Sequence, residues 1–76
     1  MNDSRKNRLE QAVKLINSTV DLIKELGDEE QEAFDNLPEN LKDAEQGENI
    51  EETIHTLNDV VDALESALAG IEDAQA

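Results

Sequence analysis

In two segments of this chain of 76 residues, apolar residues recur at alternating spacings of three and four. This spacing corresponds to positions a and d of a heptad, which lie on one side of an α-helix. No segment alternates with the two-residue period of a β-strand, so the pattern predicts an all-α fold. We call the apolar a and d residues the seam: Leu9, Val13, Ile16, Val20, Ile23, Ile50, Ile54, Leu57, Val61, Leu64 and Leu68, with the heptad continuing to Ile71.

The apolar surface of the first run is wider than the seam alone. Further uncharged residues occupy positions g and c, which flank the seam on one edge. A stripe this wide is typical of a helix in a globular bundle and exceeds what a two-stranded coiled coil requires. The flanking residues of the first run are Ala12, Leu15, Thr19, Leu22 and Leu26.

The first run predicts a helix over about residues 4–35. Gly27 stands at an a position, so the helix either breaks at 27–28 or continues through the glycine. Phe34 and Leu37 fall back into the same register, which favours a continuous or slightly kinked helix. A glycine inside a helix costs only about 1 kcal/mol relative to alanine, so the helix can continue through Gly27 with a small loss of stability.

Pro38 marks the end of the first helix, because proline disfavours the helical conformation of the residue before it. The sequence predicts a turn over 36–43 and a second helix over about 44–69. Asp43 and Asn49 each offer an N-cap with a matching side chain three residues later, which leaves two starting points open. The glycine that follows residue 69 is a plausible terminator.

A hairpin of two such helices, forming one domain over residues 1–76, buries only one side of each helix. A chain of this size is near the lower limit for a self-sufficient core. It has no cysteine, so no disulfide can staple the fold. We therefore predict self-association through the seam into a homodimer or larger helical bundle, most simply an antiparallel four-helix bundle. The alternative is a hairpin that pairs with a helix or groove of another protein.

The formal net charge is −14, and the charges are unevenly distributed. Residues 1–14 carry four basic and two acidic side chains, whereas residues 15–76 carry only Lys24 and Lys42 against 18 acidic ones. Nucleic acid and anionic membranes are therefore poor partners, because both are bound mainly through Lys and Arg. A basic protein surface is the natural complement. No apolar run approaches a membrane span, and we expect a cytoplasmic protein.

The second helix has acidic residues away from its seam and no Lys or Arg to balance them. A protein that imitates the phosphate track of DNA needs carboxylates of this kind on a rigid helix. Ordinary solvated surfaces mix both signs, although a simple solvated acidic surface is the alternative interpretation. We call the candidate partner-binding residues the acidic face: Glu51, Glu52, Asp59, Asp62 and Glu65.

The sequence contains no arrangement of side chains that is typical of a metal site or an active site. His55 has no second His or Cys with which to complete a zinc site. An acidic cluster before Asn36 lacks the alternating ligands and central glycine of an EF-hand loop. No Ser/His/Asp or Cys/His set is available, so we expect no metal, no cofactor and no enzymatic activity. The cluster consists of Asp28, Glu29, Glu30, Glu32 and Asp35.

The central segment Asp28–Leu41, DEEQEAFDNLPENL, is followed by Glu45–Glu48, EQGE, and an acidic helix. This arrangement resembles a group of small acidic proteins of bacteriophages and prophages, and the likeness runs from Leu9 to about Glu65. The resemblance implies helical character and a phage setting, and it assigns no residue a role. Many relatives in that group have a basic residue before the glycine of the second motif, where this chain has Gln46.

Together these features predict a phage accessory protein that binds another protein and modulates or inhibits it. The acidic face would act like a DNA mimic, and a host DNA-binding protein or defence factor is the expected type of target. The alternative is a viral structural or assembly protein that acts through self-oligomerisation. Ionic strength separates the two, because charge-driven binding weakens with salt and apolar association does not.

Overall fold

The structure is a computed structural model that describes all 76 residues, and it contains three helices and no strand. Helix α1 comprises Asp3–Asp35, helix α2 comprises Glu39–Lys42, and helix α3 comprises Glu45–Gln75. Helices α1 and α3 pack side by side as a long hairpin whose Cα extents are 58 × 15 × 12 Å. The all-α prediction is confirmed, and so is the hairpin arrangement of the two long helices.

Helix α1 runs without interruption through Gly27. It begins with a side-chain cap, because the Oδ1 atom of Asn2 accepts a hydrogen bond of 2.9 Å from the backbone N–H of Arg5. A Cβ atom built on Gly27 meets nothing within 4 Å, so this glycine is not required by close packing. The break at 27–28 that the sequence left open does not occur.

The turn between the long helices contains the single helical turn α2. Pro38 precedes α2, and its carbonyl oxygen accepts hydrogen bonds from the N–H groups of Leu41 at 2.8 Å and Lys42 at 3.2 Å. The Nζ atom of Lys42 lies 5.8 Å from the centroid of the Phe34 ring and 3.1 Å from Oε1 of Glu39. One of the two cations in residues 15–76 is therefore engaged within the turn.

The start of α3 differs from the predicted capping patterns. The helix begins at Glu45, with Ala44 as a cap residue that makes no side-chain hydrogen bond. Asp43 instead closes α2, and a start at Asn49 is wrong because the first turn of α3 is already formed four residues earlier. Carboxylates in the first turn interact favourably with the exposed N–H groups of a helix, which helps to explain a start without a side-chain cap.

The predicted end of the second helix at Ala69 is also wrong, because α3 continues to Gln75. Glycine ends a helix most effectively when it adopts a positive φ angle, and no glycine in this chain does so. Ile71 extends the seam past Gly70 and is half-buried. The apolar repeat therefore continues the helix where local glycine propensity alone favours a stop.

Gly47 allows the backbone of α2 to pack closely against the first turns of α3. It is buried, and a Cβ atom there would overlap the carbonyl oxygen of Lys42. The same Cβ would lie 2.6 Å from the carbonyl carbon of Lys42 and 2.7 Å from the carbonyl oxygen of Leu41. These atoms belong to the backbone and cannot rotate away, so only glycine fits this contact. The glycine of the EQGE motif thus has a packing role in the turn.

The seam residues lie between α1 and α3 within one chain. Val20 and Val61 are the most enclosed, with exposures of 5% and 8%, while the other seam residues are half-buried and no side chain is fully enclosed. Several leucines outside the seam remain largely exposed. A single hairpin therefore has a thin core and retains unburied apolar surface.

Candidate protein interface

The two long edges of the hairpin differ in charge. Lys24 and Glu65 both occupy position e, and their Nζ and Oε1 atoms lie 3.5 Å apart across the two helices. The e positions of α1 and α3 therefore share one side of the hairpin, and the g positions share the other. We call the side that carries Lys24 and Glu65 the charged side, and the opposite one the uncharged side.

The acidic face predicted from the sequence is fully accessible but is divided between two surfaces. All five of its residues are exposed. Glu51, Asp62 and Glu65 occupy e and b positions and belong to the charged side. Glu52 and Asp59 occupy f positions, which point away from α1 on the outer surface of α3. The acidic face is thus a band that wraps around one edge of the helix.

Helix α1 adds carboxylates to the same side, next to those of the acidic face. Asp21, Asp28 and Asp35 recur every seven residues at position b. Asp28 lines a groove together with Asn58 of α3, so this row lies beside the charged side of α3. The seven-residue spacing was visible in the sequence, but its meaning depends on the antiparallel pairing of the helices.

Two members of the acidic face have a basic side chain nearby, Glu65 from α1 and Asp59 from within α3. Glu65 is within 3.5 Å of Lys24 from α1, so the expectation that it is uncompensated is wrong. The Nε2 atom of His55 lies 3.5 Å from Oδ2 of Asp59, one turn later on the same helix. Both pairs are largely exposed, and such pairs contribute only about 0.2–1 kcal/mol each.

The average charge density of the acidic face is of the same order as that of a DNA strand, although its carboxylates are unevenly spaced and Glu65 is paired with Lys24. Glu51 and Glu65 are separated by 14 residues, which corresponds to about 21 Å of helix. Five carboxylates in that length give about one charge per 4–5 Å, compared with about one per 3.4 Å along one strand of duplex DNA. The rigidity of α3 fixes this spacing, because the five residues lie in one uninterrupted helix.

A shallow groove lies on the charged side where the seam of α1 lacks a side chain. It has a volume of about 320 Å³, and Gly27 faces Leu57 within it. Gln31 and Asn58 place amide groups on its rim, beside Lys24 and Asp28. The groove therefore offers apolar contact at its floor and hydrogen-bonding groups at its edge, in the middle of a surface that is otherwise acidic.

The uncharged side has a different composition. Between Ala12 and Leu26 on α1, and between Thr53 and Ala74 on α3, no g or c position carries a charge. Leu15, Leu22 and Leu26 are 70%, 55% and 44% exposed. Residues on this side are Ala12, Leu15, Thr19, Leu22, Leu26, Thr53, Thr56, Val60, Ala63, Ala67, Gly70 and Ala74.

The side chains of this chain do not assemble any group of three or more His, Cys, Asp or Glu residues that could hold a metal ion. No helix combines the length and the apolar character that a membrane crossing requires. No protein-family model, curated protein or solved structure matches the chain.

Proposed function

We propose that this chain is a non-enzymatic accessory protein that binds a basic surface of another protein and modulates or inhibits that protein. The observation that carries the proposal is the row of exposed carboxylates on α3, together with the aspartates that α1 contributes to the charged side. Their charge density is comparable to that of a DNA strand, and a protein surface that normally binds DNA is complementary to it.

The resemblance of the central segment to small acidic phage proteins indicates the biological setting in which this function would operate. We propose that the chain is encoded by a bacteriophage or prophage and acts in the cytoplasm of the host cell, on a host DNA-binding protein or defence factor. The engagement of Lys42 with Glu39 and Phe34 supports an acidic surface as the functional one, because it leaves few free cations after residue 14.

We further propose that the chain works as a homo-oligomer. The support is the thin core of the hairpin, in which only Val20 and Val61 are buried apolar residues, and the exposure of leucines on the uncharged side. The same exposed leucines favour a second candidate function, that of a viral structural or assembly protein whose purpose is oligomerisation. The two functions differ in whether the acidic face has a partner of its own.

Neutralising the acidic face should abolish partner binding while leaving the fold intact. The variant carries Glu→Gln or Asp→Asn replacements at Glu51, Glu52, Asp59, Asp62 and Glu65. It removes like-charge repulsion, so we expect equal or greater thermal stability. Capture of proteins from a bacterial host lysate at about 0.1 M salt should fall at least tenfold relative to the parent, because electrostatic steering is lost.

A second variant controls for total charge. It replaces five exposed carboxylates of α1 in the same way and reaches the same net charge, so it should retain the captured partner. Raising the salt to about 1 M shortens the Debye length from about 10 Å to about 3 Å and should release the partner from parent and control alike. Equal capture by both five-fold variants and the parent at low salt would refute the role of the acidic face. The control positions are Asp3, Glu10, Glu25, Glu29 and Glu32. Asp3 and Glu10 occupy e positions at the start of α1, and none of the five belongs to the acidic face or to the row of Asp21, Asp28 and Asp35.

A further inference from the structure

We propose that a second copy of this chain docks on the uncharged side, with α1 of each copy packed against α3 of the other. This inference rests on the proposed self-association and adds the surface and the arrangement. Scattered exposed leucines are common on proteins, but Leu15, Leu22 and Leu26 share one edge of one helix and have no charged residue between them on that edge.

The charge distribution indicates a second copy as the occupant. Each chain carries a net charge of −14, so the repulsion between two copies is smallest when the contact itself contains no carboxylate. The uncharged side meets this condition between Ala12 and Leu26 on α1 and between Thr53 and Ala74 on α3, with Glu29 at its margin. Pairing through this side leaves both charged sides on the outside of the dimer. A basic partner would gain nothing from the uncharged side, because its complement lies on the opposite edge.

The size of the surface is close to the minimum for a specific pair. The uncharged residues of α3 run from Thr53 to Ala74, which is about 30 Å of helix, and those of α1 from Ala12 to Leu26, which is about 20 Å. At a helix diameter of about 10 Å, each copy would contribute about 500 Å². The total of about 1,000 Å² is the area that a biological interface is expected to reach.

The side-chain sizes on the two helices select between two symmetric arrangements. The edge of α1 has large leucines, whereas the edge of α3 is made chiefly of small residues. A two-fold axis parallel to the helices sets α1 of one copy against α3 of the other, whereas an axis across them sets α1 against α1. Only the first arrangement places large residues opposite small ones, which is how cores reach native packing density.

The antiparallel register brings the matching residues to the same height. One groove is lined by Ile23 and Gly27 of α1 and by Leu57 and Val61 of α3, so these two segments lie at about the same height along the hairpin. With Ile23 taken as level with Val61, Leu22 is level with Asp62, one residue from Ala63. The same count places Leu15 near Ala67 and Gly70, and Leu26 near Val60. A parallel two-fold axis preserves height, so the same pairs meet between copies.

A single lysine on the uncharged side should separate the two copies. In sedimentation equilibrium, we expect Leu22→Lys and Ala63→Lys to shift the protein from twice the chain mass of 8.4 kDa to the mass of one chain. Asn17→Lys and Ser66→Lys make the same charge change at exposed positions of the same helices, outside the uncharged side, and should remain paired. Circular dichroism then shows whether each variant keeps its helices.

The arrangement is tested with single cysteines, since the natural chain has none. Leu22→Cys and Ala63→Cys are mixed, allowed to exchange subunits and treated with a short bis-maleimide. We expect cross-linked pairs containing one chain of each variant, and little cross-linking in either variant alone. Efficient cross-linking of Leu22→Cys to itself would overturn the arrangement, because it requires α1 to face α1.

The possible results are distinguishable from those of the partner-binding experiment. Pairs that persist in Leu22→Lys and Ala63→Lys would overturn the uncharged side as the docking surface. A parent protein that sediments as one chain would overturn this inference together with the proposed self-association. Neither result bears on the acidic face, whose partner is measured by capture.

Discussion

Replacing Gly47 by alanine should destabilise the protein by about 3 kcal/mol, near the upper end of the range for overpacked sites. The added methyl group would overlap the backbone carbonyls of Leu41 and Lys42, so α2 must move away from α3 to accommodate it. For a chain of this size the loss corresponds to a fall of about 10–20 °C in the thermal midpoint. Thermal unfolding followed by circular dichroism measures it, with all variants at one protein concentration.

Gly27→Ala is the matched control, because the chemical change is the same and the surroundings are open. A Cβ atom at Gly27 has no neighbour within 4 Å, and alanine has the higher helix propensity. We expect a stabilisation of about 0.5–1 kcal/mol. Equal effects of the two substitutions would mean that α2 does not pack on Gly47 as described.

Val61→Asn should have a comparably large effect for a different reason. Val61 is only 8% exposed and lines the same groove as Ile23 of α1. Asparagine has a similar size, so the penalty comes chiefly from an amide that is removed from water without hydrogen-bond partners. We expect a loss of about 2–4 kcal/mol, which is a large share of the stability of a small domain. Urea unfolding measures the change in midpoint.

The neighbouring substitution Asp62→Asn is the control for Val61→Asn. Asp62 is exposed on the charged side, and surface substitutions of this kind usually change stability by less than about 0.5 kcal/mol. Similar midpoints for the two variants would show that Val61 is accessible to water and that the register of the seam is wrong.

The fold was largely predictable because its main signal is periodic. The seam repeats over many turns, and each repeat adds independent support for two helices that pair along one side. The continuation of α1 through Gly27 followed from the return of Phe34 to the register. The end of α3 differs from the prediction because the seam residue Ile71 continues the helix past Gly70, whose local propensity favours a stop.

The structure of the turn and the distribution of charge on the surface depend on contacts between residues distant in sequence, which the heptad periodicity does not reveal. The role of Gly47 comes from the approach of the α2 backbone, and nothing in the spacing of EQGE specifies that approach. The partner of Glu65 is Lys24, 41 positions away in sequence, so the balance of charge on α3 could not be read from α3 alone. The division of the hairpin into a charged and an uncharged side likewise requires knowing which edges lie together.

We propose that one hairpin uses its two sides for different kinds of association. Native mass spectrometry of the captured complex, recorded while the concentration of a volatile salt is raised, tests both kinds in one titration. We predict that the partner dissociates as the salt rises, while two chains of 8.4 kDa remain together. A partner that stays bound at high salt, or a complex that contains one copy of this chain throughout, would contradict the account.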